Sequence, residues 1–128
     1  MNILLDTCTF LWICTEDDSL SAPAKAAFKD PENEIFLSAA SSWEIAVKFL
    51  KKKLPLPEPP ERFVQTRRER HSIEALPIEE AAATYVYRLP EYHRDPFDRM
   101  LVSQAVVHGM TILTPDPAIL LYPVSSLW

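Results

Sequence analysis

The run PFDRMLVSQAVVHGMTIL, from Pro96 to Leu113, decides the fold class. Proline is tolerated in a first helical turn, and Met100, Leu101, Val102, Ala105 and Val106 make one broad apolar face, so Pro96–His108 reads as a helix. Gly109 is its terminating residue, and Thr111–Leu113 follows at once as a short strand. The same alternation extends outward. Upstream, Asn2–Leu5 reads as a strand, Thr7 to about Cys14 as a short helix, and Ser21-Ala22-Pro23 as the capped start of a helix through Phe28. Glu34–Leu37 is a second strand. Ser41–Lys52 is a helix with Ile45, Phe49 and the row Trp43, Val47 and Leu50 facing inward.

The stretch Leu54–Pro60 holds too many prolines for a helix or a central strand and serves as a stiff connector. Glu61–Arg70 is helical, Ser72–Leu76 a short strand, and Ile78–Leu89 an alanine-rich helix. Pro90–Asp95 is loop. At the far end Pro117–Leu121 is a short helix, and Val124–Trp128 an edge strand or a tail. Short apolar runs alternating with helical segments are the mark of a parallel sheet with crossover helices, so residues 1–128 read as a single α/β domain.

Composition narrows the function. With one glycine, Gly109, against 12 prolines, no glycine-rich phosphate loop and no glycine-flanked nucleophile elbow can be built. No apolar run approaches the roughly 18 residues of a membrane span, and the start of the chain has no basic segment leading an apolar one, so a cytoplasmic location is expected. Cys8 and Cys14 lie about 9 Å apart along one helix at roughly 1.5 Å per residue, too far for a disulfide. His71, His93 and His108 show no paired zinc-site spacing. The net charge is -5, yet Lys48–Arg70 carries eight basic residues against three acidic ones. Such a basic stretch is either a solvated helix face or a polyanion contact.

Four carboxylates stand at helix starts: Asp6 after the first strand, Glu44 after the second, Asp98 after the Pro90–Asp95 loop, and Asp116 after Thr111–Leu113. In a parallel sheet those positions collect at the carboxyl edge, where ligands bind. Capping accounts for each acid singly: Ser41 with Glu44 spells a capping box, Asp95 and Asp116 precede prolines, and Asp6 precedes Thr7. Together they repel, by about 4 kcal/mol per pair at 4 Å with an effective dielectric near 20, against about 0.3–1 kcal/mol of relief from each helix dipole. A divalent cation removes that repulsion, and a shell of carboxylates and water suits Mg²⁺ or Mn²⁺.

Leu4-Leu5-Asp6-Thr7, Leu37–Lys48 with its S-x-W-E-I-A-x-K pattern, His93–Leu101 with Asp95-Pro96-Phe97-Asp98-Arg99, and Ile112–Leu120 resemble, in order and spacing, the PIN-domain ribonucleases. More narrowly they are similar to the VapC-type toxins of bacterial type II toxin–antitoxin pairs. The resemblance implies a three-layer PIN-like fold and a metal-dependent endoribonuclease that hydrolyses RNA with a metal-activated water. It places the acidic centre on Asp6, Glu44, Asp98 and Asp116, with Thr114 and Asp95 in support. Asp6 and Asp98 are then the foremost metal ligands, Glu44 a water-holding residue or base, and Asp116 the residue that completes the shell. Lys48, Arg94 and Arg99 are the expected RNA contacts. The position before the last aspartate, often basic in relatives, is Pro115 here. The resemblance also implies a homodimer and a cognate antitoxin whose tail lies in an apolar groove, for which Phe10, Trp12, Phe49 and Leu50 are available.

Two other readings compete. A phosphoacceptor receiver domain shares the length and the acidic sheet edge, but it needs an adjacent acidic pair after the first strand and a lysine after the last; Asp6 stands alone and no lysine follows Lys53. A non-catalytic PIN-like module that binds RNA or protein keeps the fold without the chemistry.

Overall fold

A computed structural model describes all residues, Met1–Trp128. Five strands, β1 (Asn2–Leu5), β2 (Glu34–Ser38), β3 (Glu74–Leu76), β4 (Thr111–Leu113) and β5 (Ser126–Leu127), form one sheet in the order β3-β2-β1-β4-β5. Every pairing is parallel, with Ile3 opposite Ile35 on one side and Thr111 on the other. Seven helices connect or flank the strands: α1 (Thr7–Thr15), α2 (Ala22–Lys29), α3 (Ala39–Leu50), α4 (Pro60–Arg70), α5 (Glu80–Tyr85), α6 (Pro96–His108) and α7 (Pro117–Leu120). None is long and apolar enough to cross a membrane.

The continuous apolar run of β1 follows from its central place in a sheet covered on both faces. Ile3, Leu4 and Leu5 are all fully buried, and the period-two alternation of a strand sends them to different cores. Ile3 and Leu5 pack with Phe10, Ile13, Ile45 and Phe63, whereas Leu4 packs with Leu101, Val102, Ile112 and Ile119. Buried hydroxyls are satisfied. Thr9 donates to Leu113 O at 2.9 Å, and Ser38 donates to Gln104, whose amide reaches Pro77 O at 3.1 Å.

Helix boundaries follow from local capping. Ser21 Oγ accepts from Ala24 N at 3.1 Å, and Asp95 Oδ1 accepts from Phe97 N and Asp98 N. Gly109 takes the left-handed conformation at φ 67° that ends α6 and turns the chain into β4.

Several expectations need correction. Ser38, not Ser41, caps α3, so the helix begins at Ala39 and the Ser41–Glu44 capping box does not form. The inward face of α3 is the narrow stripe Ala40, Ser41, Glu44 and Ile45, and Trp43, Phe49 and Leu50 are exposed. The alanine-rich segment forms only α5, then a 3-10 turn over Val86–Arg88. Phe10 is fully buried in the core and lines no groove, whereas Trp12 packs on Trp128 and lines a separate hollow of about 470 Å³ with Leu20 and Phe28. Phe49 and Leu50 flank a hollow of about 650 Å³ with Leu54, Pro55 and Leu56. The C-terminal segment is an edge strand, β5.

Candidate metal centre

The chain goes from β1 outward through β2 to β3 on one side and then crosses back to place β4 and β5 on the other side of β1, so the strand order reverses between β1 and β4. The carboxyl ends of strands beside such a reversal leave a crevice that loops do not bridge. Asp6 follows β1, and Thr114 and Asp116 follow β4, so both walls of the crevice carry acid. The cleft there has a volume of about 340 Å³ and is lined by Asp6, Glu44, Asp95, Asp98 and Asp116, with Thr7, Cys8, Leu11, Lys48, Lys53 and Leu54 around them. A larger hollow of about 730 Å³ between α3, α4 and β3 is mostly apolar and holds none of these carboxylates.

Each acid is held differently. Asp6 is buried and does not cap α1; its Oδ2 accepts from Thr114 Oγ1 at 2.7 Å and from Cys8 Sγ at 3.3 Å. Thr114 Oγ1 also accepts from Asp116 N at 3.0 Å, which ties the two loops together. Asp116 turns Oδ1 to Ala118 N at 2.9 Å as the cap of α7. Glu44, buried on α3, has both oxygens engaged: Thr7 Oγ1 donates to Oε1 at 2.7 Å, and Lys48 Nζ lies 2.8 Å from Oε2. Asp98, in the first turn of α6, meets His93 Nε2 at 3.3 Å through Oδ2. Neither Asp98 Oδ1 nor Asp116 Oδ2 receives a hydrogen bond from the protein.

The electrostatics follow from this crowding. Burial, then the charges of Asp95, Asp6, Asp116 and Glu44, pushes the Asp98 carboxyl up to about 8. Burial also raises Asp6, against the lowering effect of hydrogen bonds from Thr114 and Cys8. The Cys8 thiol is pushed up to about 12, mainly by burial and then by Asp6. Lys48 is raised by its hydrogen bond to Glu44. No three of these side chains already converge at coordination distance. The donors are hard oxygens around an open cleft, a set that suits a cation keeping several of its own waters.

Two of the three expected cationic contacts stand elsewhere or away from the acids. Arg99 turns back into the protein, donating to Pro90 O at 2.8 Å, Tyr122 Oη at 3.0 Å, Val86 O at 3.3 Å and Leu89 O at 3.4 Å. With its donors spent on loop carbonyls, it is an anchor rather than an RNA contact. Arg94 is exposed beside Trp43 and Phe97, outside the acidic cleft. Lys48 does line the cleft, together with Lys53.

Sequence reasoning passed over Thr7 and Ser41 as site residues, and for His93, beside Arg94 and Asp95, it favoured a surface loop over the site. Thr7 Oγ1 joins Glu44 to Ser41 Oγ, 2.9 Å away. The signal for Thr7 was its place one residue after a strand-end aspartate, whose neighbour must face the opposite wall of the crevice. Nothing local marks His93, because the loop that lays it over α6 is held by contacts distant in sequence.

The family profile described as PIN domain matches residues 3–122. The chain belongs to the PIN domain family. Among curated PIN relatives, Ribonuclease VapC16 of Mycobacterium tuberculosis is 42% identical over 57 residues, covering 44% of this chain and 40% of that protein. Solved structures share the fold. VapBC2 from Rickettsia felis, bound to a DNA fragment from its promoter, superposes with a TM-score of 0.75 at 14% identity, covering 99% of this chain and 98% of that one. VapBC-1 from nontypeable Haemophilus influenzae gives 0.67 at 11% identity over 99% and 97% of the two chains. FitAcB from Neisseria gonorrhoeae gives 0.57 at 20% identity over 98% and 96%. The five-stranded parallel sheet with helices on both faces is thus the PIN arrangement.

Proposed function

We propose that this PIN domain is a metal-dependent endoribonuclease and the toxin of a type II toxin–antitoxin pair, acting in the cytoplasm. The observation that carries the reading is the gathering of Asp6, Glu44, Asp98 and Asp116 from four separate chain segments into one cleft at the sheet's carboxyl edge. Partial identity to a ribonuclease and the fold shared with VapBC proteins support it.

Asp6, Asp98 and Asp116 would hold Mg²⁺ or Mn²⁺, with the unbonded oxygens Asp98 Oδ1 and Asp116 Oδ2 turned to it. When bound, the cation supplies charge neutralisation at the scissile phosphate and a water of lowered pKa. Glu44 is braced by Thr7 and Lys48, which suits it to orient the attacking water and accept its proton. Lys48 and Lys53 at the rim would meet RNA phosphates, and Arg94 lies farther out on the path of a bound strand.

Partners follow from the same reading. The exposed apolar side chains Phe49 and Leu50 adjoin the cleft through Leu54, which lines both, and would take an antitoxin tail. A homodimer is expected by analogy with the family.

The test is cleavage of single-stranded and structured RNA with matching DNA, under Mg²⁺, Mn²⁺ or EDTA. Cleavage of RNA that needs the metal and is lost in Asp98→Asn is the expected result. Failure of folded, antitoxin-free protein to cleave any of the panel under either ion would overturn the reading.

A further inference from the structure

Arg99, Tyr122, His93 and Asp98 form a single hydrogen-bonded line that ends at the acidic cleft. Arg99 Nη1 lies 3.0 Å from Tyr122 Oη, Tyr122 Oη 2.8 Å from His93 Nδ1, and His93 Nε2 3.3 Å from Asp98 Oδ2. The direction of the first bond follows from the chemistry of the groups. Guanidinium only donates, so Tyr122 Oη accepts from Arg99. Tyr122 Oη also shares a hydrogen bond with His93 Nδ1. A ring proton on Nε2 is within reach of Asp98 Oδ2.

We infer that His93 is a positioning residue for metal binding: it holds Asp98 Oδ2 so that Oδ1 is left facing the cleft. The inference rests on the metal-dependent reading of the site. Three features make the line a built device rather than a surface contact. Tyr122 is 3% exposed, so its hydroxyl needs partners, and Arg99 and His93 are the ones it has. Tyr92 packs edge-on against the Tyr122 ring at 5.0 Å, and the His93 ring lies 5.4 Å from it, so the imidazole is held by packing as well as by hydrogen bonds. Arg99 fastens the loop that carries His93 to the first turn of α6, through Val86, Leu89 and Pro90 carbonyls. The arginine thus gains a role that its neighbourhood with Asp98 in sequence hides, and the loop 89–95 becomes part of the site without supplying a ligand.

Groups that orient a metal's carboxylate ligands matter nearly as much as the ligands, and losing one weakens metal binding or activity by about 10–100-fold. The test measures Mn²⁺ affinity of the purified chain by electron paramagnetic resonance of free Mn²⁺, with RNA cleavage alongside. His93→Ala is expected to weaken Mn²⁺ binding about 10–100-fold. His93→Gln, whose amide nitrogen reaches the place of Nε2, should restore most of it. His93→Asn, which places its amide where Nδ1 sits, should not. Tyr122→Phe keeps the ring packing and touches no ligand, yet should lower the affinity by several-fold because the imidazole loses the hydrogen bond that holds its far side. Unchanged affinity in a folded His93→Ala variant, or equal loss in the Gln and Asn variants, would overturn the inference while leaving the nuclease reading intact. A wild-type chain that binds no Mn²⁺ would overturn both.

Discussion

Replacing Asp98 by asparagine should make the metal-free protein more stable at alkaline pH while abolishing cleavage. In the folded chain, burial and four neighbouring acids carry this carboxyl from 3.8 to about 8, whereas in the unfolded chain it titrates near its ordinary value. The folded state therefore binds a proton that the unfolded state releases, so stability is fullest below about pH 4 and declines as the pH rises toward 8. A shift of that size corresponds to about 4 kcal/mol at pH 7. The cleft is open, and solvent screening in it leaves roughly 1–2 kcal/mol to be gained on removing the charge. For a domain of this length that is a rise of about 4–8 °C in Tm. The assay is thermal unfolding of wild type and Asp98→Asn in EDTA at pH 5 and pH 8. The variant should melt higher at pH 8, and the gap should shrink at pH 5. Added Mg²⁺ should reverse the order at pH 8, since only a chain with the full acid set gains from binding the cation. A variant no more stable than wild type at pH 8 would refute the claim that Asp98 is electrostatically strained.

Other perturbations separate the parts of the site. Thr114→Val removes the hydroxyl that links Asp6 to Asp116; denaturant unfolding should show a loss of about 1–3 kcal/mol, and cleavage should fall with it. Lys48→Ala removes a half-exposed ion pair worth under about 1 kcal/mol, so Tm should hardly move. Its RNA affinity should weaken, with the salt dependence of binding reduced by about 0.7 in logarithmic slope. Leu101→Ala empties a fully buried position between α6 and the sheet and should cost about 2–5 kcal/mol in chemical denaturation, far more than any change at the cleft rim.

The sheet was legible because its signals are local. A run such as Asn2–Leu5, apolar without alternation, states that both faces are covered, and Asp95-Pro96 and Gly109 mark the ends of α6 by backbone chemistry alone. The start of α3 was misread because Ser38 and Ser41 carry the same capping hydroxyl; only the position at which β2 stops pairing chooses between them. Trp43 and Leu50 reach the surface because the buried stripe of α3, Ala40, Ser41, Glu44 and Ile45, is too narrow to take them in. Arg99 was misplaced for a different reason. Its charge and its position beside Asp98 point to phosphate, but its partners lie 9 to 23 residues away and are brought to it by the turn after α5 and by Tyr122.

Capping alone explained every carboxylate in the sequence, and the hydrogen bonds divide them. Asp95 and Asp116 accept the backbone N–H groups that a cap must accept. Asp6 precedes α1 and accepts none of its hydrogen bonds from that helix's capping positions, Glu44 begins no helix, and Asp98 is itself a donor of the N–H that Asp95 caps. Three buried acids are thus left without a capping role, although Asp6 and Glu44 are hydrogen-bonded within the cleft. Two of them, Asp6 and Asp98, have their pKa raised by burial, an effect that the hydrogen bonds from Thr114 and Cys8 offset in part at Asp6. Helix caps can be replaced by serine or asparagine without such strain, so raised pKa values in a shared cleft mark Asp6 and Asp98 as functional-site candidates, beside Asp116, which caps α7 through Oδ1 alone and keeps Oδ2 unbonded.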